Sequence, residues 1–367
     1  MAAAAAAAGR AFDTELDFVR PGHTDLRGPR FNPAGLEMEA RSALRRRVFA
    51  PQALEIADAR EAAGGIESFR LDTHGFAYMQ GLLPPWPVPL ANPADHDFPD
   101  FEAADMPGSR EYLPALAEVC RKFAGADAAY VTNYVLRSDA VSAGNGYNVH
   151  AHSDFGPWAE ATFRTMLTER YGVPASVVRE KELLMVNLWH PFDRPAYSDP
   201  LALLDMTSVD LPPGWETTSA VRRLPIAIDT LSSLGDNAEP SPFYLSGRFY
   251  GLDGDGQQTG KSDDGLLSAC PPLPTHRFYH CSDMRSDEAW LFKQWDTRRD
   301  QGARMCFHSA VHDPRYDAEG AERLSGLQGR LQSHAVSLMP TRRSLECRMV
   351  MTFPKREAQK DQKAAKL

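Results

Sequence analysis

The sequence predicts a mainly β fold with flanking helices, and three observations carry that expectation. Beyond residue 127, eight short runs rich in β-branched and aromatic residues follow one another: DAAYVTNYVLRS, YNVHAHSDF, LLMVNLWHPF, LALLDMTSV, RFYHCSDM, EAWLFKQWD, ARMCFHSAV and SLECRMVMTF. Each is bounded by Pro, Gly, Asp or Ser clusters, the pattern of a sandwich or barrel. One helical segment interrupts them, PWAEATFRTMLTERYG, with Pro157 suited to a first helical position and Gly172 to a C-terminal cap.

Before residue 127 the elements are less regular. Residues 1–35 mix alanine with Gly, Pro and Arg and show no periodicity that would bury a face, so a disordered leader is expected. Residues 36–126 read as a helical and extended unit packed on the core. Helix formers with mixed charge predict a helix on either side of Pro51, stopped by Gly64-Gly65. ESFRLDTHGFAYMQGLL reads as strand, turn and strand, and a Pro-rich connection follows it. A helix is expected over Ser109–Ala124, because Leu113, Leu116, Val119, Cys120 and Phe123 recur at helical spacing before Gly125. The β unit then spans 127–354, and the charged KREAQKDQKAAKL at 355–367 leaves the core as a solvated tail.

Composition narrows the function. The chain has 367 residues, 43% of them hydrophobic and 24% charged, with a formal net charge of −9. That is ample material for a core and excludes collagen-like and disordered classes. With no long basic run, nucleic acid is not the expected partner; a small molecule is. Five scattered cysteines with no CxxC predict neither a disulfide framework nor a zinc knuckle and fit a reducing, cytoplasmic setting. No apolar stretch is long enough to span a membrane. The terminal Ala365, Lys366 and Leu367 resemble an SKL-type peroxisomal address.

The residues with chemical potential begin at His150-Ala151-His152-Ser153-Asp154, where a β run ends. Alternate side chains of a strand share a face, with Cα atoms about 6.6 Å apart, so His152 and Asp154 can converge on one metal ion. Imidazole nitrogen plus carboxylate oxygen is the donor mix of a non-haem iron(II) site, which takes a second histidine and keeps about three positions open. His308, in another β run, is the candidate. His276 with His280, and His308 with His312, have the i, i+4 spacing that aligns zinc ligands on a helix, but both segments read as extended. In the last run, Arg342, Ser344, Glu346 and Arg348 share a strand face. An arginine with a hydroxyl two residues on is a charge-assisted receptor for a carboxylate.

Taken in order, these motifs resemble the iron(II)- and 2-oxoglutarate-dependent oxygenases of the branch that includes the cephalosporin 7-alpha-hydroxylase subunit and the gibberellin-desaturase-like fungal proteins. The matching segments are VHAHSDF, VNLWHPFDRPAYSDPLALLDMTSV, HRFYHCSDMRSDEAWLFKQWDTR, ARMCFHSAVHDP and RRSLECR. The resemblance implies a double-stranded β-helix, or jelly roll. It also implies Fe(II) held by His152, Asp154 and His308, with 2-oxoglutarate anchored at its distal carboxylate by Arg342 and Ser344. His190 stands where the family carries arginine, and Arg342 lies farther from His308 than the family spacing. Arg348 is therefore the competing anchor, with Arg315 and Arg323 behind it. Asn187 and Lys293 occupy family-motif positions that would orient ligands. His150, Trp189, His190, Phe155 and Tyr279 are candidates for the second layer or the substrate pocket, with Tyr147, Trp158 and Phe278 as further aromatic residues.

The implied activity is O2-dependent oxidation of a small molecule of specialised metabolism, with ascorbate as reductant in assay. Abstraction of hydrogen from carbon leads to hydroxylation, desaturation or ring closure, aziridine formation from an amino acid among them. Two alternatives stay open: a jelly-roll metal oxidase or isomerase that uses no 2-oxoglutarate, and a nonenzymatic small-molecule-binding jelly roll.

Overall fold

The computed structural model describes residues 11–19, 49–85, 109–138, 151–155, 159–192, 195–196, 199–209, 226–228, 243–245, 276–313 and 342–355. In chain order the strands are β1 (Phe12–Val19), β2 (Phe49–Asp58), β3 (Phe76–Gln80), β4 (Ala128–Ser138), β5 (His152–Ser153), β6 (Lys181–Pro191) and β7 (Leu201–Leu204). They continue as β8 (Ile226–Ile228), β9 (Phe243–Leu245), β10 (Phe278–His280), β11 (Glu288–Asp296), β12 (His308–Ala310) and β13 (Arg343–Pro354). The helices longer than a single turn are α1 (Ser109–Ala124), α2 (Ala159–Glu169) and α3 (Ala175–Arg179).

The strands form two sheets. One runs β1-β2-β10-β7-β12-β5-β9-β8 and the other β3-β11-β6-β13-β4. Non-sequential neighbours dominate both orders, as expected when two sheets wrap around one core. All eight predicted β runs contain a strand, and the jelly-roll expectation holds. β6 is buried without a break from Leu183 to Pro191, the mark of a central strand covered on both faces.

Three apolar clusters set the layers. Trp189, Trp290 and Phe292 of the five-stranded sheet pack with Leu201, Leu203 and Cys306, so the two sheets face each other there. Met185, Trp295 and Val350 belong to a second cluster together with Ala202, Leu204 and Phe307. On the other side of the five-stranded sheet, Tyr112, Leu116 and Cys120 of α1 cover Val186, Leu188, Leu345 and Cys347. Each fully buried aliphatic side chain contributes roughly 1.5–3 kcal/mol of burial free energy. The helix predicted over Ser109–Ala124 is found with those bounds. Gly125, at φ +68°, ends it, and Ala126 N donates to Arg121 O at 3.0 Å.

The segments before residue 127 differ from expectation. Residues 12–19, expected in a disordered leader, form β1 and pair antiparallel with β2 along its length. Residues 49–58, expected as helix around Pro51, are that partner strand. Helix propensity is a weak preference that tertiary pairing overrides, and β2 joins β1 to β10. Pro51 is tolerated because β10 pairs only with Ile56, Ala57 and Asp58, so its missing N–H faces no β10 partner. In the segment expected as strand, turn and strand, Leu71–His74 is a single helical turn ended by Gly75 at φ +87°. A Cβ on Gly75 would lie 2.5 Å from Met305 O, so the turn and the close approach both require glycine.

Candidate metal centre

The site forms on the face of each sheet that looks toward the other. β12 pairs with β5 so that His308 stands directly opposite His152. Directly paired residues project to the same side of a sheet, and the two imidazole centroids are 4.2 Å apart. Asp154 follows two residues after His152 and places Oδ1 3.4 Å from His152 Nε2. One ligand atom from each of His152, Asp154 and His308 lies within 4.8 Å of the others, and among the described residues no other group of three His, Cys, Asp or Glu does so. His276 and His280 do not form part of such a group.

The surroundings prepare these side chains as ligands. Exposure is 5% for His152, 9% for Asp154 and 3% for His308. Burial raises the Asp154 carboxyl, but the Arg348 guanidinium and the His152 contact outweigh it and hold the group well below the usual carboxylate range. Burial, reinforced by neighbouring His152, pushes His308 down to about 3. An ionised carboxylate and a neutral imidazole are the forms a metal ion takes. His308 Nδ1 is buried with no hydrogen-bond partner among the described residues. The donor set and the orphaned ring nitrogen fit a divalent transition metal.

Around the three ligands, strands of the opposite sheet supply polar contacts. Asn187 Nδ2 on β6 donates to Asp154 Oδ2 at 2.7 Å. Arg348 on β13 reaches the same oxygen at 3.2 Å and pairs with Glu346 at 2.9 Å. Gln294 on β11 accepts from Asp154 N at 2.6 Å and from Ser153 Oγ at 3.1 Å. Phe292 lays its ring 4.8 Å from that of His308.

Farther along the same face lie Arg342 and Ser344, the residues expected from the sequence to receive a carboxylate. Arg342 is 2% exposed, sits over the Trp189 ring at 5.4 Å and donates to Asp199 O. Ser344 is fully buried, and its Oγ, like the indole Nε1 of Trp189 and of Trp290, has no hydrogen-bond partner among the described residues. Trp290 pairs with Trp189, and Trp189 with Glu346, forming one row across three strands, while Ser344 stands opposite Pro191 one pleat along. Unmatched buried donors beside a buried arginine are costly unless a polar ligand meets them.

Other expected site residues fall elsewhere. His190 points to the opposite face of β6: Tyr112 Oη on α1 lies 3.0 Å from its Nε2, and Nδ1 lies 2.8 Å from Pro191 O. Lys293 likewise faces away from the metal ligands, donating to Asp296 at 2.6 Å and to Ala303 O at 2.9 Å. Both corrections follow from the period of two in a strand, since His190 adjoins Trp189 and Lys293 adjoins Phe292. Phe155 packs edge-on against Phe163 of α2, with centroids 4.9 Å apart. Tyr279 is on the ligand face, because Leu203 pairs with both Tyr279 and His308, but its ring lies against Phe69. His150, Tyr147, Trp158, Arg315, Arg323 and the terminal Ala365, Lys366 and Leu367 lie outside the described residues. Gln294, Trp290 and the pairing of Glu346 are not evident from the sequence. Their signal is alternation with Phe292 and Ser344, which needs the strand register to become visible.

Comparison with known proteins agrees with this architecture. A model of the Oxidoreductase/YMDC permease-like domain matches residues 32–224 and 260–326. Hydroxylase/desaturase efuI of Hormonema carpetanum is 36% identical over 100 residues, covering 26% of this chain and 32% of that protein. The match thus spans about a third of the relative's length. One solved structure of the iron and alpha-ketoglutarate-dependent endoperoxidase NvfI aligns with TM-score 0.59 at 18% identity, over 94% of this chain and 98% of that one. Another structure of the same endoperoxidase gives 0.58 at 17% identity, over 94% and 99%. Such likeness establishes the fold. With the family model matching well over half of its residues, the chain belongs to the Oxidoreductase/YMDC permease-like domain family.

Proposed function

We propose that the protein is an iron(II)- and 2-oxoglutarate-dependent oxygenase that oxidises a C–H bond of a small molecule of specialised metabolism. The observation that carries this reading is the convergence of His152, Asp154 and His308 on the eight-stranded sheet, opposite the strand of the five-stranded sheet that bears Ser344 and follows Arg342. His152, Asp154 and His308 hold the iron. Arg342 and Ser344 receive the distal carboxylate of 2-oxoglutarate, and Trp189, whose ring lies under Arg342, adds Nε1 as a further donor. Bound there, iron(II) with 2-oxoglutarate and O2 supplies oxidative decarboxylation to succinate and CO2 coupled to abstraction of hydrogen from substrate carbon.

The chain's own groups set the conditions. Phe292, Trp189 and Trp290 wall the ligands with apolar surface and exclude water. Burial keeps His308 free of a proton, so the ring is available as a donor at neutral pH. The catalytic unit is residues 127–354, with 36–126 supporting it through β2 and β3. The relative's hydroxylase/desaturase name supports hydroxylation or desaturation, with ring closure available to the same chemistry. Among the described residues no helix is long and apolar enough to cross a membrane. The proposed location is cytoplasmic, with the Ala365-Lys366-Leu367 terminus favouring peroxisomal import as the alternative.

Anaerobic titration with Fe(II) and then 2-oxoglutarate tests the reading. Binding with a visible charge-transfer band is expected, and its persistence in His152→Ala would refute the site. A screen for substrate-triggered succinate release then sorts the outcome. A product lighter by two hydrogens marks desaturation or cyclisation, and one heavier by an oxygen marks hydroxylation.

A further inference from the structure

The two oxygens of Asp154 are treated differently by the protein. Oδ1 lies 3.4 Å from His152 Nε2, beside the other ligand. Oδ2 accepts a hydrogen bond from Asn187 Nδ2 at 2.7 Å and lies 3.2 Å from Arg348 Nε in an ion pair. Those two side chains are tied together by Glu346, whose Oε1 accepts from Asn187 at 3.2 Å and from Arg348 Nε at 2.9 Å. Asn187 and Arg348 are directly paired residues of β6 and β13, so both project to the same side. With carboxylates on two sides, the Asn187 amide has one sensible orientation, its NH2 toward both. Gln294 fixes the Asp154 backbone from a third strand.

A carboxylate oxygen offers about two lone-pair directions, and a carboxylate can bind a metal through one oxygen or through both. We propose that Asn187 and Arg348 are positioning residues that engage Asp154 Oδ2, the first by a hydrogen bond and the second by an ion pair, so that Asp154 presents only Oδ1 to the metal. The inference rests on the metal-site reading above and deepens it. Single-oxygen binding preserves the open positions that a chelating keto acid and O2 must share. It also gives Arg348 a task distinct from Arg342: one arginine shapes the ligand, and the other meets the co-substrate.

The wild-type chain provides the first test, needing no variant: an anaerobic crystal structure loaded with Fe(II) alone. Contact through Oδ1 only is expected, and chelation through both oxygens overturns the inference. Next, Asn187→Leu combined with Arg348→Gln should let Asp154 chelate and weaken 2-oxoglutarate binding at saturating metal by about tenfold or more. Unchanged coordination and affinity in a variant with wild-type circular dichroism refute the positioning role. Arg348→Lys separates geometry from charge. The inference predicts weakened 2-oxoglutarate binding for Lys as well as Gln; a wild-type Lys variant beside a Gln variant with tightened metal binding shows that Arg348 acts by charge alone and overturns it. Should wild-type chain bind no Fe(II) in a His152-dependent way, the metal site itself falls, and that result is distinguishable from loss of the Asn187 and Arg348 effect alone.

Discussion

On β6, Asn187 and Trp189 look toward the facing sheet while Leu188 and His190 look toward α1; on β13, Ser344, Glu346 and Arg348 alternate in the same way with Leu345 and Cys347. The inner face is charged, tied to Asp154, and leaves Trp189 Nε1 and Ser344 Oγ without a hydrogen-bond partner among the described residues. The outer face is apolar, and its one ring with polar atoms, His190, has Tyr112 and the Pro191 carbonyl beside it. One peptide unit thus separates a surface that leaves hydrogen-bonding capacity for ligands from one that completes its own contacts. Reactivity and stability should therefore respond to neighbouring substitutions in opposite ways.

The largest effect that would test this contrast lies at the metal ligands. Asp154→Ala or His152→Ala should cut 2-oxoglutarate-dependent succinate release on the order of a thousandfold, with Fe(II) binding lost in titration. Retained turnover would break the assignment of the inner face. Arg342→Gln comes next, raising the KM for 2-oxoglutarate about a hundredfold, because a buried carboxylate would lose its charge-assisted partner. A KM that does not move would shift the anchor away from Arg342.

On the outer face the readout changes to stability. Leu345→Ala should cost roughly 3 kcal/mol in urea unfolding, since Leu345 is fully buried under α1, and should leave 2-oxoglutarate affinity alone. The smallest effect is a pH slope. Burial pushes His190 from 6.5 down to about 4, so the folded protein holds the ring neutral where the unfolded chain takes up a proton. Its contribution is therefore complete above about pH 6.5 and is lost at about 1.4 kcal/mol per pH unit as pH falls toward 4. Urea midpoints at pH 7 and pH 5 measure it. His190→Gln should flatten the slope, and coincident slopes would exclude His190 as its source.

Much of the site is legible in the amino-acid sequence itself. His152 and Asp154 share a face because strands alternate, and His308 is reachable from the ordered motifs, although only the β5–β12 register shows that it stands opposite His152. What motif order does not carry is the face. His190 and Lys293 occupy motif positions yet point away from the ligands, while unsignalled Gln294 holds the Asp154 backbone. β2 is hidden for another reason: its local sequence favours helix, and pairing with β1 and β10 decides its state.

The place of β13 has a consequence for how the molecule is made. It lies between β6 and β4, pairing with Lys181–Pro191 on one side and Ala128–Ser138 on the other, yet it follows every other described strand in the chain. Until Arg343–Pro354 leaves the ribosome, β4 and β6 each carry an open edge, the condition that invites mispairing between nascent chains. Arg348 and Glu346 arrive with that last strand, so Asp154 gains its bracket only when the sheet closes. Metal capture before closure would meet a carboxylate that Asn187 already holds but that Arg348 does not yet pair with.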